Sequence, residues 1–403
     1  MIYVAVWGYG TVGSGVVEVI EKNKEMVNKK SAAELEIKYI LDLRDFPGDP
    51  YEQKVVHDVN VILDDPDVTI ICETMGGVKP AYDFTKAALE RGKSVCTSNK
   101  ELVASHGPEL LQIAREHNCN YLFEASVGGG IPIIRPLNYS LTAEKLEAIT
   151  GILNGTTNYI LTKMEREGAD FAATLKKAQE KGYAERNPEA DIEGYDACRK
   201  IAILSSLMTG QNVSYKDIYT EGITGITADD FVYARAMGRS IKLLAMSKDT
   251  PQGTLAMVAP CMITPENPLY MVSGVFNAVC VRGNMLGDSM YYGKGAGKLP
   301  TASAVVSDVV DCARHQGRTI MCFWNQEPAR LVDIGDVERG FFVRARDDAA
   351  AEIEAAFPGA EKIEVEGRTR DCGYLIAPIK ERDFAAKYET LGDRVLGRIR
   401  LEG

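Results

Sequence analysis

The chain opens with a short apolar run that leads directly into three glycines at fixed spacing. Residues 2–7 predict a buried strand, and Gly8, Gly10 and Gly13 follow it in the pattern G-x-G-x-x-G. A helical pattern then covers residues 14–27. Glycines at this spacing permit a tight turn, a close approach of a pyrophosphate to the backbone, and close packing of helix on strand. A strand–helix turn without a ligand is the alternative, but the context favours a dinucleotide-binding unit.

Further apolar runs alternate with amphipathic helices through the N-terminal third of the chain. The predicted strands cover residues 35–43, 68–73, 94–97 and 121–124, and a predicted helix covers residues 80–91. This alternation is typical of a parallel sheet that is covered on both faces. We therefore predict an α/β fold, with a Rossmann-type doubly wound parallel sheet in an NAD(P)-binding domain at residues 1–135. Residues of about 298–330 are expected to complete that domain.

The middle of the chain has a different pattern. Strands are predicted at residues 148–153, 254–260 and 278–281, and helices at 159–167, 171–181, 195–208 and 229–246. We interpret residues 136–297 as an α+β domain for substrate binding and dimerisation.

The C-terminal segment, residues 335–403, has its own order of elements. Strand 341–346, helix 349–357, strands 362–366 and 374–378, helix 381–391 and strand 395–401 follow one another. This βαββαβ order predicts a ferredoxin-like (ACT-like) domain. An isolated sheet of that size has two open edges, so we expect this segment to pair with a partner subunit.

Composition excludes several classes of protein. The 403 residues carry 57 acidic and 46 basic side chains, a formal charge of −11, which argues against a nucleic-acid binder. No run approaches the roughly 20 apolar residues of a membrane span, and we identify no signal peptide. The nine cysteines are scattered singly, without the clustering of a zinc site or a disulfide framework. We expect reduced thiols and a cytoplasmic protein.

Charged residues follow two of the predicted strands at the edge of the sheet where ligands bind. Asp42 and Arg44 close the second strand. An acidic residue there would hold the ribose of NAD, and an arginine the 2′-phosphate of NADP, so both cofactors stay open. Ser98 and Lys100 follow the fourth strand. Lys100 is expected to polarise a carbonyl or contact the nicotinamide ribose, and a solvated surface lysine is the alternative.

Two patterns in the middle of the chain suggest a substrate site. A polar turn at residues 154–158, Asn-Gly-Thr-Thr-Asn, suits a substrate carboxylate and equally suits an N-cap. Asp196 and Lys200 are four residues apart on one predicted helix, where their side chains can pair. A surface ion pair is the alternative, but the helix around Cys198 is largely apolar, which makes a charged pair unusual there.

Five motifs together resemble the homoserine dehydrogenase family. They are Ser98-Asn99-Lys100-Glu101-Leu102; Phe123-Glu124-Ala125-Ser126-Val127-Gly128-Gly129-Gly130-Ile131-Pro132; Gly151-Ile152-Leu153-Asn154-Gly155-Thr156-Thr157-Asn158; Asp191-Ile192-Glu193-Gly194-Tyr195-Asp196-x-x-x-Lys200; and Gly295-Ala296-Gly297-x-x-Pro300-Thr301-Ala302-Ser303-Ala304-Val305. They stand in the family's order and cover the chain to about residue 317. The resemblance implies an NAD(P)-dependent interconversion of L-aspartate 4-semialdehyde and L-homoserine, in threonine and methionine biosynthesis.

The resemblance also assigns residues to each ligand. The residues expected to bind the cofactor are Gly8, Gly10, Thr11, Val12, Gly13, Asp42, Arg44, Ser98, Lys100, Gly295 and Gly297. Those expected to bind the substrate are Gly155, Thr156, Tyr183, Glu185, Asp191, Asp196 and Lys200. A sodium ion is implied at the backbone oxygens of Glu124, Val127, Gly129 and Ile131.

The implied chemistry is hydride transfer by the nicotinamide with movement of one proton. The expected catalytic residues are Lys200 as proton donor, Lys100 as a second polarising group, and Asp196 as the residue that orients Lys200. Two lysines converging on one oxygen would lower each other's pKa, and their roles could be exchanged. There are two alternatives. One is another NAD(P)-dependent amino-acid semialdehyde or imine reductase, and the other is a cofactor-binding regulator without turnover.

Two departures from the family pattern qualify these expectations. The family more often has an acidic residue where Asn187 precedes Pro188. Many bacterial members end in a threonine-binding ACT domain with an Asp-x-Pro-Gly turn, whereas Asp347-Asp348-Ala349-Ala350 stands here. Threonine inhibition is therefore not implied. We expect a homodimer or homotetramer.

Overall fold

A computed structural model describes residues 1–402 of the chain. These residues form two compact units, each assembled from three stretches of chain. The first unit contains residues 1–145, 202–215 and 291–329, and the second contains residues 146–201, 216–290 and 330–402. This grouping cuts the chain differently from the three ranges predicted from the sequence, which remain a prediction about function.

The first unit is built around a parallel sheet. Its elements up to residue 122 are β1 (Ile2–Trp7), α1 (Thr11–Lys22), α2 (Lys24–Ser31), β2 (Leu35–Leu41), β3 (Val55–Val56), α3 (Asn60–Leu63), β4 (Val68–Glu73), α4 (Ala81–Glu90), β5 (Ser94–Thr97), α5 (Lys100–Glu116) and β6 (Tyr121–Leu122). The strands lie in the order β3-β2-β1-β4-β5-β6, and all neighbouring pairs are parallel. This is the doubly wound order with its reversal beside β1, which confirms the predicted fold class.

The region predicted as one helix over residues 14–27 contains two. α1 ends at Lys22, and Asn23 has a non-helical conformation before α2 begins. The apolar spacing continues across this break, so periodicity alone did not reveal it. The long helix α5, which begins at Lys100, was not among the helices predicted from the sequence.

The second unit contains most of the remaining elements. Those in the rest of the chain are β7 (Leu146–Ile152), α6 (Gly155–Glu167), α7 (Phe171–Glu180), α8 (Glu189–Ile192), α9 (Tyr195–Thr209), β8 (Tyr219–Thr220), α10 (Ala228–Ala236), β9 (Ser240–Thr250), β10 (Gly253–Ile263), β11 (Phe276–Gly283), β12 (Gly287–Lys294), α11 (Lys298–Arg314), β13 (Glu338–Arg346), α12 (Ala350–Ala356), β14 (Glu361–Ile363), β15 (Asp371–Lys380), α13 (Glu381–Thr390) and β16 (Val395–Glu402). The boundary between the units falls within α9 and within β12, and α11 belongs to the first unit.

A mixed sheet of ten strands forms the second unit. Its order is β12-β11-β7-β9-β10-β16-β13-β15-β14, with β8 beside β10. The C-terminal strands have the βαββαβ order predicted for them, but they do not form an isolated sheet. β16 pairs in parallel with β10, where Cys261 lies opposite Arg400. The expectation of two open edges is therefore wrong for β16, because this chain itself covers that edge.

The predicted helix over residues 229–246 is also wrong in its second half. α10 ends at Ala236, Gly238 adopts a positive φ of 64°, and β9 starts at Ser240. The first eight residues of β9 are all buried: β7 and β10 pair with its two edges, and α6 and α10 pack against it. Leucine, lysine, methionine and alanine favour helices in isolation, and tertiary packing overrides that preference here. Within residues 1–402, no helix is both long and apolar enough to cross a membrane.

Candidate active site

The glycine turn has the geometry that a dinucleotide requires. Gly8 adopts a φ of +86°, and a β-carbon on Gly13 would lie 1.9 Å from the carbonyl oxygen of Gly8. A β-carbon on Gly10 would meet nothing within 4 Å, so open space lies beside this part of the turn. α1 begins at Thr11 and Val12 without a side-chain N-cap hydrogen bond, which leaves N–H groups of its first turn for a phosphate. The turn therefore fits a pyrophosphate.

Asp42 and Arg44 meet at the end of β2, as the sequence places them. The Arg44 guanidinium forms two hydrogen bonds of 2.9 Å to the Asp42 carboxylate, which also accepts a 2.8 Å hydrogen bond from the N–H of Tyr9. The contact with Arg44 lowers the pKa of Asp42 well below its usual range. His57, which the sequence did not single out, places Nδ1 2.7 Å from the carbonyl oxygen of Asp42. The main-chain contact with Asp42 raises the pKa of His57.

These groups line an open cleft beside the glycine turn. The cleft has a volume of about 420 Å³, and Gly8, Asp42, Arg44 and His57 are among its lining residues. Its size falls within the range of small-molecule sites. The predicted cofactor residues at the two strand ends are therefore brought together around one cleft of the first unit.

A buried carboxyl organises the loop that carries Ser98 and Lys100. Glu73 ends β4 with no exposed surface, accepting a 2.5 Å hydrogen bond from the Thr97 hydroxyl and a 2.9 Å hydrogen bond from the Met75 N–H. Burial raises the pKa of Glu73. Asn99 is the N-cap of α5 and ties this loop to the carbonyl of Gly77 at 2.7 Å. The ends of β4 and β5 therefore hold this loop in place.

Lys100 is the first residue of α5 and is half-buried, as is the neighbouring Ser98. Both follow β5 at the carboxyl edge of the parallel sheet, where the sequence predicted them. Glu73 was missed, although an acidic residue that ends an otherwise apolar strand was a signal that could have found it.

The loop expected to hold sodium is shaped by its own first residue. The Glu124 carboxylate accepts hydrogen bonds from the N–H groups of Ile133 (2.6 Å), Ile134 (2.8 Å) and Arg135 (2.8 Å). Its N–H donates to Asp308 at 2.9 Å. The Glu124 side chain is thus committed to the backbone, and only main-chain oxygens of this loop are left for an ion.

Asp308 and Arg135 are hydrogen-bonded to each other beside this loop. Arg135 Nη2 lies 2.5 Å from Asp308, and Nε lies 2.6 Å from Asp311. Burial raises the pKa of Asp308 to about 8, and the charge of Arg135 opposes that rise. These side chains line a different cavity of the first unit from the cleft lined by Asp42.

The second glycine motif, at residues 295–297, lies against the same loop. The N–H of Gly130 donates to the carbonyl of Lys294 at 3.1 Å, and a β-carbon on Gly129 would lie 2.2 Å from the carbonyl oxygen of Gly295. Gly297 has a φ of +119° and precedes α11. Only small residues fit at this contact. The loop predicted to hold sodium is therefore adjacent to the glycine motif at residues 295–297 that is predicted to bind the cofactor.

In the second unit, four predicted or neighbouring residues form one polar cluster. Lys200 Nζ lies 2.8 Å from Asp196 Oδ2 and donates to the carbonyl of Leu153 at 2.8 Å. The Asn154 amide donates to Asp196 at 2.9 Å and to Asp191 at 2.7 Å. Burial raises the pKa of Asp191. The Asp196–Lys200 pair is buried, so the alternative of a solvated surface ion pair is wrong.

Asn154 has two functions in this cluster. The side-chain oxygen Oδ1 of Asn154 accepts a 2.8 Å hydrogen bond from the Thr157 N–H and caps α6. The side-chain nitrogen Nδ2 donates to both carboxylates. The sequence suggested an N-cap in this turn but did not assign Asn154 to the site. Its N-cap position was the available signal, whereas the bridge depends on residues about forty positions away.

The other predicted substrate residues lie in the first turn of α6 or on the loop after α7. The Thr156 hydroxyl donates to the carbonyl of Tyr183 at 2.5 Å, and the ring of Tyr183 packs edge-on against Tyr159 at 5.0 Å. A β-carbon on Gly155 would lie 2.9 Å from the carbonyl oxygen of Val275, so no larger residue fits there. Glu185 is exposed on its loop. The predicted substrate residues thus share one region of the second unit.

Lys100 belongs to the first unit and Lys200 to the second. Their predicted convergence on one substrate oxygen remains a prediction.

Comparisons with known proteins agree on one family. A family model described as homoserine dehydrogenase matches residues 132–310, and one described as the NAD binding domain of homoserine dehydrogenase matches residues 8–124. The homoserine dehydrogenase of Synechocystis sp. is 43% identical over 316 residues, which span 77% of this chain and 73% of that protein. Residues 311–403 lie outside both family models, so these models assign no ACT-like domain.

Solved structures extend the likeness over the whole chain. A homoserine dehydrogenase from Thiobacillus denitrificans has a TM-score of 0.90 at 34% identity, covering 100% of this chain and 98% of that one. The S. aureus homoserine dehydrogenase at pH 7.5 has a TM-score of 0.82 at 32% identity, with coverage of 100% and 99%.

Proposed function

Because this chain belongs to the homoserine dehydrogenase family of NAD(P)-dependent oxidoreductases that act on a CH–OH group, we propose a role for each group around Lys200. The reaction interconverts L-homoserine and L-aspartate 4-semialdehyde, and the nicotinamide supplies or accepts the hydride when bound. The resemblance inferred from the five sequence motifs is thereby confirmed. The individual residue roles are the proposal.

The buried ammonium of Lys200 carries this proposal. An ammonium has three N–H donors, and the contacts with Asp196 and the carbonyl of Leu153 use two of them. The third is available to the oxygen of the reacting carbon. In aldehyde reduction this oxygen gains negative charge, so a fixed cation stabilises it and donates the proton. In homoserine oxidation the same nitrogen takes the hydroxyl proton.

Asp196 and Asn154 act as positioning residues for that ammonium. Asp196 lies one helical turn before Lys200 on α9, and its carboxylate fixes the direction of the Lys200 side chain. Asn154 holds Asp196 from the start of α6. Asp191, on the other side of the same amide, is placed to orient the substrate hydroxyl.

The start of α6 supplies a site for the substrate carboxylate. Within residues 1–402 the N–H groups of Gly155 and Thr156 donate no hydrogen bond, and the positive end of the helix dipole lies there. Glycine is required at position 155 because the carbonyl of Val275 packs against it. We assign the substrate ammonium to Glu185, near Tyr183, because a carboxylate is its natural partner.

The cofactor belongs to the first unit. We assign the pyrophosphate to the turn Gly8–Gly13, which has the required fit, and the nicotinamide end to Ser98, Lys100 and the motif containing Gly295 and Gly297. Lys100 is placed there by the buried Glu73–Thr97 contact at the strand ends.

A spectrophotometric assay tests the function directly. Purified full-length protein is mixed with L-homoserine and either NAD or NADP, and formation of the reduced nicotinamide is followed by its absorbance. Turnover that requires L-homoserine is the expected result. Turnover of other amino-acid semialdehydes or cyclic imines with NADH or NADPH would refute the substrate assignment, if homoserine is not oxidised with NAD or NADP and aspartate 4-semialdehyde is not reduced with NADH or NADPH. No turnover with any of them would favour the non-catalytic regulator.

We also propose a sodium ion at the loop after β6. Val127, Gly129 and Ile131 are buried, and their carbonyl oxygens accept no hydrogen bond within residues 1–402. Buried carbonyls are nearly always paired, and oxygen ligands of this kind suit a hard cation. With the carbonyl of Glu124 they would hold the ion and fix the loop against residues 294–295. Clusters of three or more His, Cys, Asp or Glu side chains able to hold a metal are absent from the described residues.

Assembly and location remain proposals of the same kind. Met285, Leu286 and Met290 are exposed in or beside the edge strand β12, and apolar surface of this kind commonly marks a protein–protein contact. This supports a homodimer or homotetramer, to be measured by light scattering. Nine cysteines without a disulfide are in keeping with a reducing compartment such as the cytoplasm.

A further inference from the structure

The carboxylate of Glu221 lies half-buried beside β16, the last strand of the chain. Its Oε2 accepts hydrogen bonds from Arg400 Nη1 (2.6 Å), Arg398 Nη2 (3.2 Å) and the Tyr219 hydroxyl (2.8 Å). Burial works to raise the pKa of Glu221, but the charges of Arg400 and Arg398 outweigh it and keep the pKa below its ordinary value. Glu221 is therefore an ionised group held by two arginines of the C-terminal segment.

Arg400 is itself fixed on its other side. It is 1% exposed, and its Nε and Nη2 donate to the Glu381 carboxylate at 2.9 and 2.7 Å. β16 carries it into the large sheet, where it lies opposite Cys261 of β10. A buried cation with carboxylates on two sides has little freedom to move. The C-terminal segment therefore sets the position of Glu221.

The two residues that follow Glu221 pack directly on the turn between α8 and α9, residues 192–194. The N–H of Ile223 donates to the carbonyl of Ile192 at 2.8 Å. A β-carbon on Gly222 would collide with that carbonyl oxygen and would lie 2.5 Å from Cα of Glu193. Backbone thus touches backbone at this point, so a displacement of residues 221–223 is passed on to the α8–α9 turn.

The α8–α9 turn joins the two carboxylates of the polar cluster. Asp191 lies just before the turn and Asp196 follows it, and the Asn154 amide donates to both. Asp196 in turn contacts Lys200 at 2.8 Å. The position of Asp191 relative to Lys200 therefore depends on how firmly the turn is held.

We propose that Glu221 is a positioning residue for this cluster, and that Arg398 and Arg400 fix Asp191 through it. This inference rests on the proposed dehydrogenase function. Loss of the Glu221 carboxylate releases the α8–α9 turn from β16, and Asp191 then no longer orients the substrate hydroxyl at a fixed distance from Lys200. The effect falls on the chemical step, because the cofactor is assigned to the first unit.

Glu221→Ala and the conservative Glu221→Gln test this in the full-length enzyme. Glu221→Ala is expected to lower kcat for homoserine oxidation about 3–30-fold and to leave the dissociation constants of NAD and NADP unchanged. Glu221→Gln keeps an acceptor oxygen for the arginines and should recover part of that loss.

The chain offers a matched control in Asp229→Ala. The Asp229 carboxylate also binds an arginine of the C-terminal segment, Arg368, at 2.6 Å, but it lies on α10. Asp229→Ala is expected to keep the native kcat at a temperature where it is folded, even if its Tm falls as much as that of Glu221→Ala. Equal losses of kcat in the two variants would refute the inference, because they would reflect only a loosened C-terminal segment.

A double-mutant cycle with Asp191→Asn identifies the residue through which Glu221 acts. The two substitutions together are expected to lower kcat by less than the product of their separate effects. If Glu221→Ala does not fold, Glu221→Gln takes its place in the cycle. Losses that multiply, or a native kcat without the Glu221 carboxylate, would overturn the inference while a wild type that oxidises homoserine leaves the proposed function standing. A wild type without that activity would refute the proposed function itself.

Discussion

Asn154 and Lys200 contact the same oxygen atom, Oδ2 of Asp196, at 2.9 and 2.8 Å. One atom thus connects the N-terminus of α6 to the ammonium proposed for catalysis. Because the oxygen receives two donors, its direction is fixed from two elements. Substitutions at these positions are therefore expected to affect the chemical step.

Lys200→Met removes the proposed proton donor and keeps most of the side-chain volume. We expect kcat to fall by about 10²–10⁴-fold with little change in cofactor dissociation. Steady-state kinetics and a cofactor titration measure the two effects. Lys242→Met is the matched control, because Lys242 is also buried and donates to a main-chain carbonyl, that of Val272, at 2.9 Å. A Lys200→Met enzyme with near-native turnover would contradict the assignment.

Asn154→Ser tests the N-cap function of Asn154 separately from its hydrogen bonds to Asp191 and Asp196. Serine is also a good N-cap, so the loss in the free energy of unfolding should come from the carboxylates left without the amide donor, about 1–3 kcal/mol. Its hydroxyl is too short to reach both Asp191 and Asp196, so kcat should fall while KM for homoserine changes less. Urea unfolding and steady-state kinetics measure these quantities. If Asn154→Ala loses both stability and kcat while Asn154→Ser keeps its kcat, Asn154 has only a capping role.

Glu185→Gln removes the negative charge proposed to bind the substrate ammonium. We expect KM for L-homoserine to rise about 10–100-fold, the loss of one charge-assisted hydrogen bond, with a smaller effect on kcat. Glu189→Gln, another exposed carboxylate four residues further on, is the control. An unchanged KM in Glu185→Gln would remove this residue from the substrate site.

Asp308 makes the free energy of unfolding depend on pH, in a direction that follows from its raised pKa. Its pKa is raised by burial to about 8, whereas an unfolded chain has an aspartate near 3.9. As the pH rises through this window, the unfolded chain loses a proton that the folded chain keeps. This carboxyl therefore lowers the free energy of unfolding progressively from about pH 4 and levels off above about pH 8.

Asp308→Asn cannot titrate and should gain stability relative to the wild type between about pH 5 and pH 9, in urea unfolding. Asp311→Asn removes another carboxyl that contacts Arg135, and is the control for the lost contact with Arg135. If the free energy of unfolding of Asp308→Asn relative to the wild type instead falls as the pH rises, the charge of Arg135 outweighs burial and holds Asp308 ionised.

Sodium should stabilise the folded protein if the loop after β6 holds it. Above its dissociation constant, each tenfold rise in sodium adds about 1.4 kcal/mol to the free energy of unfolding, and Tm rises with it. Thermal unfolding in sodium chloride and in choline chloride at equal ionic strength measures this, because choline is too large for a carbonyl site. Equal Tm values in the two salts would exclude the site.

The sequence predicted what depends on local pattern. The glycine turn, the parallel strands and the Asp196–Lys200 spacing follow from residues close together in the chain, and the structure contains all three. β9 was missed because its residues favour a helix, whereas pairing with β7 and β10 and packing against α6 and α10 hold them in a strand. The same limit explains the missed contacts of Lys200 with Leu153 and of Asp42 with Tyr9. Main-chain groups are partners that no side-chain pattern reveals.

The division of the first unit into three stretches has a consequence for how the protein acquires its fold. Ala302, Val305 and Val309 of α11 pack in the same hydrophobic core as Val4 and Val16. A growing chain that has only reached residue 135 therefore exposes apolar surface that residues 298–314 later cover. Contacts of such high sequence separation slow folding and prolong exposure to aggregation. We expect synthesis of this enzyme to depend on chaperones more than its parallel sheet alone would suggest.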